Sequence, residues 1–174
     1  MAIYSTSKNR ARRRIDNITI VRAKYFITSC IFMEWTRSDD DLFIRLDPGE
    51  EIHKSLRIIA DKVGFNAAAI TSGIGRTRNN HYGYMSDSQI YHRKIFEEAA
   101  ELVTLQGNLA RKEDGTAFTH IHATWCSDDD VVMAGHMFES TIHVVGEIHL
   151  RILTKSIMTR CPLENSEFVA LNFS

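Results

Sequence analysis

Most of this chain consists of short segments in which apolar and polar residues alternate, separated by turns too short to contain a helix. Such segments occupy Leu42–Leu46, then follow one another from Phe65 to Leu153, with a last one near Phe168–Phe173. Alternation with period two predicts strands that bury one face. Short turns between strands favour a mainly antiparallel sheet. Gly73-Ile74-Gly75 is expected to form one of the turns.

A single segment has the helical period instead. Its apolar residues recur at helical spacing and predict one buried stripe, made of Ile52, Leu56, Ile59, Ala60 and Val63. Asp47-Pro48 with Glu50 is typical of a helix start, and Gly64 of a helix end. His53 lies off the stripe and is expected to face solvent. The predicted fold class is α+β, with a central, mainly antiparallel β-sheet and one long amphipathic helix.

The 174 residues suffice for one domain, and the net charge of −1 predicts no overall attraction to nucleic acid or to anionic membranes. The charge is unevenly distributed, because residues 1–32 carry +6 and the remainder −7. We therefore predict a mobile basic extension over 1–32 and a folded domain over 33–174. Within the extension, Arg10, Arg12, Arg13 and Arg14 either form a solvated tail or bind nucleic acid. They lack the Gly-Arg-Pro core of an AT-hook.

The cysteines and the apolar segments bear on the compartment. Cys30, Cys126 and Cys161 are an odd number without CxxC spacing, which is typical of a reducing compartment. The apolar stretch after Arg14 is interrupted by charged residues and predicts neither a secretory signal nor a membrane span. A cytoplasmic protein is expected.

Histidines provide the chemical signal of the sequence. His120 and His122 are separated by one residue in a predicted strand, so both side chains project from the same face. Ile121, Ala123 and Trp125 would face the core. His136 lies in the next predicted strand, after the turn Asp128–Asp130.

The length of that turn decides whether His136 joins the pair. A three-residue turn places His122 opposite His136 on one face of the hairpin. A four-residue turn pairs His122 with Gly135 and sends His136 to the other face, because one step of register reverses every side chain. Gly135 would suit a place where another backbone or a metal approaches closely.

Three imidazoles on one face are a ligand set for a borderline transition metal, with zinc expected first and iron or nickel as alternatives. A carboxylate is needed if such a site transfers protons. Glu147, on the polar face of the last long strand, and Glu101 are the catalytic candidates. Each is equally well explained as a surface carboxylate.

Several strings in order along the chain match a known family. RLDPGEEI, ITSGIG, AELVTLQGNLARKEDGTAFTHIHATW, AGHM and GEIHLRIL resemble the PPC domain, the plants-and-prokaryotes conserved domain, from about Leu42 to the C-terminus. The resemblance implies an antiparallel α/β domain, a homotrimer, and histidine positions matching His120, His122 and His136. In plants the domain accompanies AT-hooks in DNA-binding proteins. The fold also resembles acetolactate decarboxylase, whose zinc is held by an HxH pair and a later histidine.

Three functions are consistent with these patterns. The first is a trimeric, DNA-binding or regulatory PPC-domain protein with a three-histidine metal site. The second is a metal-dependent lyase or hydrolase acting on a small molecule. The third is a non-catalytic trimeric scaffold.

Overall fold

The strands of this protein form one continuous sheet that curves until it closes on itself. The computed structural model describes residues 20–21 and 33–174. In chain order the elements are β1 (Ile20–Val21), β2 (Glu34–Ser38), β3 (Asp41–Leu46), α1 (Ile52–Val63), β4 (Ala68–Met85), β5 (Tyr91–Phe96), β6 (Ala100–Lys112), β7 (Ala117–Ser127), β8 (Val132–Ile152), β9 (Met158–Pro162) and β10 (Val169–Phe173).

Closure comes from four long strands. Strand β4 pairs with β6 and β8, and β7 pairs with the same two strands from the other side. The four strands thus form a ring, to which β3 adds along the second half of β8 and β5 along the end of β4. Among the described strands, all pairings are antiparallel except the short one between β6 and β9. This confirms the predicted α+β class with a mainly antiparallel sheet.

Helix α1 packs against β7 and β8. Its predicted stripe is confirmed, with Ile52, Leu56 and Ile59 fully buried in the core. Gly64 ends the helix in the left-handed conformation, as expected. The helix contains 12 residues and begins later than predicted, since Glu51 is its N-cap.

The predicted helix start was wrong because the chain turns at Gly49, whose φ of 90° is not helical, although Glu50 makes the expected contact with Asp47. The Glu50 carboxylate accepts hydrogen bonds from the backbone N–H groups of Met33 and Asp47, at 3.1 and 2.7 Å. Residues 47–50 therefore form a turn that connects β3 to the helix. The capping function passes to Glu51, which accepts from the N–H groups of His53 and Lys54.

Two further predictions were wrong because each placed a break inside a strand that is continuous. Gly73-Ile74-Gly75 is not a turn, because β4 continues through it for 18 residues. The segments expected at 131–138 and 142–153 are likewise one strand, β8, of 21 residues. Register shifts at Ile70–Ser72 and Gly75–Thr77 let β4 bend without ending. A bent strand and a turn use the same small residues, and only the pairing partner distinguishes them.

Candidate metal centre

The alternation in β7 separates the histidines from the core, as predicted. Ile121 and Trp125 are fully buried and Ala123 nearly so. On the opposite face, His120 is half-buried and His122 is exposed. The strand thus presents both imidazoles on the side away from the main core.

The hairpin between β7 and β8 has the three-residue turn. Ser127 and Val131 close it, since the Ser127 N–H donates to the Val131 carbonyl at 3.0 Å. Asp130 adopts the left-handed conformation with φ of 61°, which aspartate tolerates. His122 is therefore the direct partner of His136. The structure selects the register that places all three histidines on one face.

The three imidazoles converge. One ring nitrogen from each of His120, His122 and His136 lies within 4.8 Å of the other two. The ring centroids are 4.9 to 5.4 Å apart. We refer to His120, His122 and His136 as the histidine triad. Within the described part of the chain, it is the one group of metal-ligating side chains gathered this closely.

Gly135 makes the position of His136 possible. A Cβ at this residue would lie 2.5 Å from the backbone oxygen of Gly83 on β4. The close approach of two backbones, expected for Gly135, is thus confirmed, and it holds β8 between β4 and β7 at the triad.

Burial keeps the triad neutral. It lowers the pKa of His120 to about 4, with help from the nearby Arg160 cation, and the pKa of His136 to about 3, with help from the other two imidazoles. Burial also lowers the pKa of His122. At neutral pH each of the three rings therefore keeps one unprotonated nitrogen, which is the state that binds metals.

One ring nitrogen lacks a partner. Nδ1 of His136 is buried and has no hydrogen-bond partner among the described residues. Burying such an atom without a partner costs about 1–3 kcal/mol. A transition-metal ion would fit this donor set, because it accepts lone pairs from neutral imidazoles.

A cavity of about 200 Å³ opens beside His120 and His136. We call it the triad cavity. Its walls are aromatic and charged, and include Tyr91, Phe118, Phe138 and Phe168 together with Arg93, Arg160 and Glu167. Tyr91 stacks on His136 with ring centroids 4.7 Å apart.

Arg160 from β9 directly contacts the triad. Its Nη2 lies 3.2 Å from Nδ1 of His120, and since arginine can only donate, Nδ1 accepts. The same guanidinium donates to Oδ1 of Asn108 and to the Val169 carbonyl. Arg160 therefore orients the His120 ring while connecting β10 to β6 and β7.

His53 was wrongly expected to face solvent. It is 7% exposed and forms hydrogen bonds with both β7 and β8, the strands that carry the triad. Its Nε2 lies 3.0 Å from the Met137 carbonyl and its Nδ1 lies 2.7 Å from Oγ1 of Thr119. Each partner is the immediate neighbour of a triad histidine. A signal was available, because His53 precedes Ala60 by two helical turns and so borders the buried stripe.

The two predicted carboxylates lie elsewhere. Glu101 pairs with Arg76, and both Glu101 and Glu147 line a separate depression on the sheet. The structure does not bring either to the triad cavity, whose carboxylate is Glu167. Sequence reasoning missed both Glu167 and Arg160, because they follow the predicted hairpin and no motif marks them. The predicted basic residues Arg10, Arg12, Arg13 and Arg14 lie outside the described residues.

Comparisons with solved structures agree with the fold. A plant- and prokaryote-conserved (PPC) protein from Pyrococcus horikoshii is 27% identical, with a TM-score of 0.67 over 80% of this chain and 93% of that one. A metal-containing protein from Archaeoglobus fulgidus is 25% identical, with a TM-score of 0.67 over 77% and 94%. A candidate DNA-binding protein from Bacteroides thetaiotaomicron is 20% identical, with a TM-score of 0.73 over 81% and 97%.

No curated protein matches the chain significantly. In the described part of the chain, no helix is long and apolar enough to cross a membrane. The model of the Plants and Prokaryotes Conserved (PCC) domain matches residues 33–154, which is more than half of the sequence. The chain therefore belongs to the Plants and Prokaryotes Conserved domain family, as the order of its sequence motifs predicted.

Proposed function

We propose that this protein is a metal-dependent enzyme of the lyase or hydrolase type that acts on a small molecule. The observation that carries the proposal is the convergence of three neutral imidazoles beside a cavity. His120, His122 and His136 would hold the ion, zinc first and another divalent transition metal as the alternative. The similar protein from Archaeoglobus fulgidus contains a metal, which supports a metal in this fold.

The residues that line the triad cavity have separate roles in the proposed reaction. When bound, the ion supplies Lewis acidity, which polarises a carbonyl or activates water. Tyr91 and Phe138 cover His136 and exclude bulk water from it. We assign proton transfer to Glu167, the carboxylate that borders the cavity. Its Oε2 accepts from the Tyr91 N–H at 2.6 Å and its Oε1 lies 3.4 Å from Arg93.

Elemental analysis of the purified protein tests the metal centre. We expect one transition-metal ion per chain, and its loss in the variants His120→Ala and His136→Ala. His143→Ala is the matched control, because His143 lies on β8 but is exposed and outside the triad. A protein without stoichiometric metal would overturn the proposal in favour of a non-catalytic scaffold. A His143→Ala variant that loses the metal as readily as the triad variants would overturn the assignment of the ion to the triad.

A second candidate function is DNA binding. It is favoured by the +6 charge of residues 1–32 and by the similarity to the candidate DNA-binding protein from Bacteroides thetaiotaomicron. Phosphate contacts from Arg10, Arg12, Arg13 and Arg14 would make retention on duplex DNA fall steeply with salt. Deletion of residues 1–32 should abolish that retention, and unchanged retention would contradict it.

We also propose that the chain assembles as a homotrimer. Ile74, Val103 and Val144 are each more than half exposed and line one depression with Glu101 and Glu147. Exposed apolar side chains gathered in this way are typical of protein interfaces. Sedimentation should give three times the chain mass, and Val103→Lys should lower it, whereas a monomeric wild-type protein would refute the assembly.

A further inference from the structure

The triad cavity contains a buried positive charge without a counter-ion. Arg160 is 2% exposed, yet within residues 33–174 it forms no ion pair with a carboxylate. Its three acceptors are neutral, and its buried Nε has none among the described residues. Unpaired buried guanidinium groups are rare, because desolvation of the charge is costly.

The other charges of the cavity do not offset Arg160. Glu167 is engaged by Arg93 and by the Tyr91 N–H group. Arg93 lies over the Phe138 ring, 4.0 Å from its centroid. One acid therefore faces two guanidinium groups, and the cavity retains a net positive charge before any metal is bound.

Metal binding would also remove one acceptor from Arg160. A neutral His120 that uses one ring nitrogen for an ion carries its proton on the other, so neither nitrogen can then accept. The hydrogen bond now made by Nη2 to Nδ1 of His120 would have no acceptor in that state. A ligand oxygen in the cavity could replace it.

We infer that the triad cavity binds a small organic carboxylate, whose carboxylate group lies against Arg160 and whose other end lies beside His120 and His136. This inference deepens the proposed function, on which it rests for the role of the ion. The cavity of about 200 Å³ is smaller than pockets for drug-sized ligands, which favours a body of a few carbon atoms. The rings of Phe118 and Phe168 provide apolar contacts for that body. A phosphate dianion is disfavoured, because Glu167 borders the same space.

Calorimetric titration with isobutyrate and with its neutral isostere isobutyramide tests the inference. Both are titrated into the zinc-loaded protein and into the metal-free full-length chain. We expect isobutyrate to bind at least about tenfold more tightly than isobutyramide, since charge-assisted hydrogen bonds require the carboxylate. We also expect tighter binding with zinc than without it. Equal binding of the two probes, or tighter binding of inorganic phosphate, would overturn the inference without any variant.

Substitution of Arg160 tests whether its guanidinium group provides the positive charge that binds isobutyrate. Arg160→Gln should reduce isobutyrate affinity at least about tenfold in both forms of the protein. Arg111→Gln is the matched control, because Arg111 also donates to backbone carbonyls but pairs with Asp61 outside the cavity. Amide NMR spectra establish that each variant is folded, and Arg160→Met, which is also neutral, replaces Arg160→Gln if the latter is not. An unchanged affinity in the folded Arg160 variant would refute the inference.

The two proposals fail separately. If zinc does not bind but isobutyrate still binds the metal-free chain through Arg160, the metal-dependent function is wrong and the carboxylate site stands. If zinc binds with one ion per chain and isobutyrate does not bind, the carboxylate site alone is wrong.

Discussion

Acidification of the metal-free protein should destabilise it through the histidine triad. His120 and His136 have pKa values of about 4 and about 3 in the folded state, compared with 6.5 ordinarily. A group whose folded pKa is lowered binds its proton more readily in the unfolded chain. The free energy of unfolding therefore falls as the pH drops below 6.5, and continues to fall until the folded pKa is reached.

The magnitude follows from linkage. Between pH 7 and pH 5, a histidine that titrates only in the unfolded chain lowers the free energy of unfolding by roughly 1.9 kcal/mol. Two such residues give roughly 3.8 kcal/mol, which we reduce to about 2 kcal/mol because both side chains retain contact with solvent. His53, whose pKa is also lowered by burial, adds to the loss in the same direction.

Urea denaturation at pH 7, 6 and 5 in the presence of a chelator measures this loss. The double variant His120→Asn/His136→Asn should lose about 2 kcal/mol less than the wild type over that range. Comparison of the two proteins cancels contributions that they share, including that of Glu50, whose raised pKa acts in the opposite direction. His92→Asn/His143→Asn, which changes two exposed histidines, is the control. The reasoning is refuted if the wild type and the triad variant show the same dependence on pH.

Three further perturbations test the surroundings of the triad. Replacement of His53 by Leu should lower the free energy of unfolding by about 2–4 kcal/mol, because two buried hydrogen bonds disappear and their partners stay buried. Urea denaturation at pH 7 measures this loss, and a value below about 1 kcal/mol would contradict the prediction. Insertion of one glycine between Asp129 and Asp130 should abolish stoichiometric zinc binding, because shifting the pairing of β7 and β8 by one residue turns His136 to the other face. Elemental analysis that still finds one ion per chain would show that the turn does not set the register. Trp125→Phe should cost about 2–3 kcal/mol, since it removes one buried hydrogen bond donated by the indole N–H and leaves a cavity beside the smaller ring. Thermal denaturation checks it, with an unchanged melting temperature as the opposing result.

The histidine triad was predictable because its determinants are local. Period-two alternation places His120 and His122 on one face, and a turn of three residues places His136 opposite His122. The sequence alone left two turn lengths open, and the structure chose between them. The buried stripe of α1 and its end at Gly64 followed from helical periodicity in the same way.

The cavity around the triad depended on the tertiary structure. Arg160 and Glu167 lie 24 and 31 residues beyond His136, and they reach the triad only because β9 pairs with β6 and β10 pairs with β9. Such pairings between distant segments leave no periodic signal in either segment. The burial of His53 also depended on the tertiary structure, since its partners Thr119 and Met137 belong to strands far along the chain.

By itself, then, the sequence determined the alternation of the strands, the buried stripe and end of the helix, and the three possible ligands, because these depend on a few neighbouring residues. Where β4 and β8 continue and where the helix begins depended on the tertiary structure. The closed sheet decided what surrounds those ligands. It placed an unpaired guanidinium beside His120 and moved Glu101 and Glu147 to another surface. Long-range strand pairing controls both outcomes, since it is set by the packing of the whole core and not by any one segment.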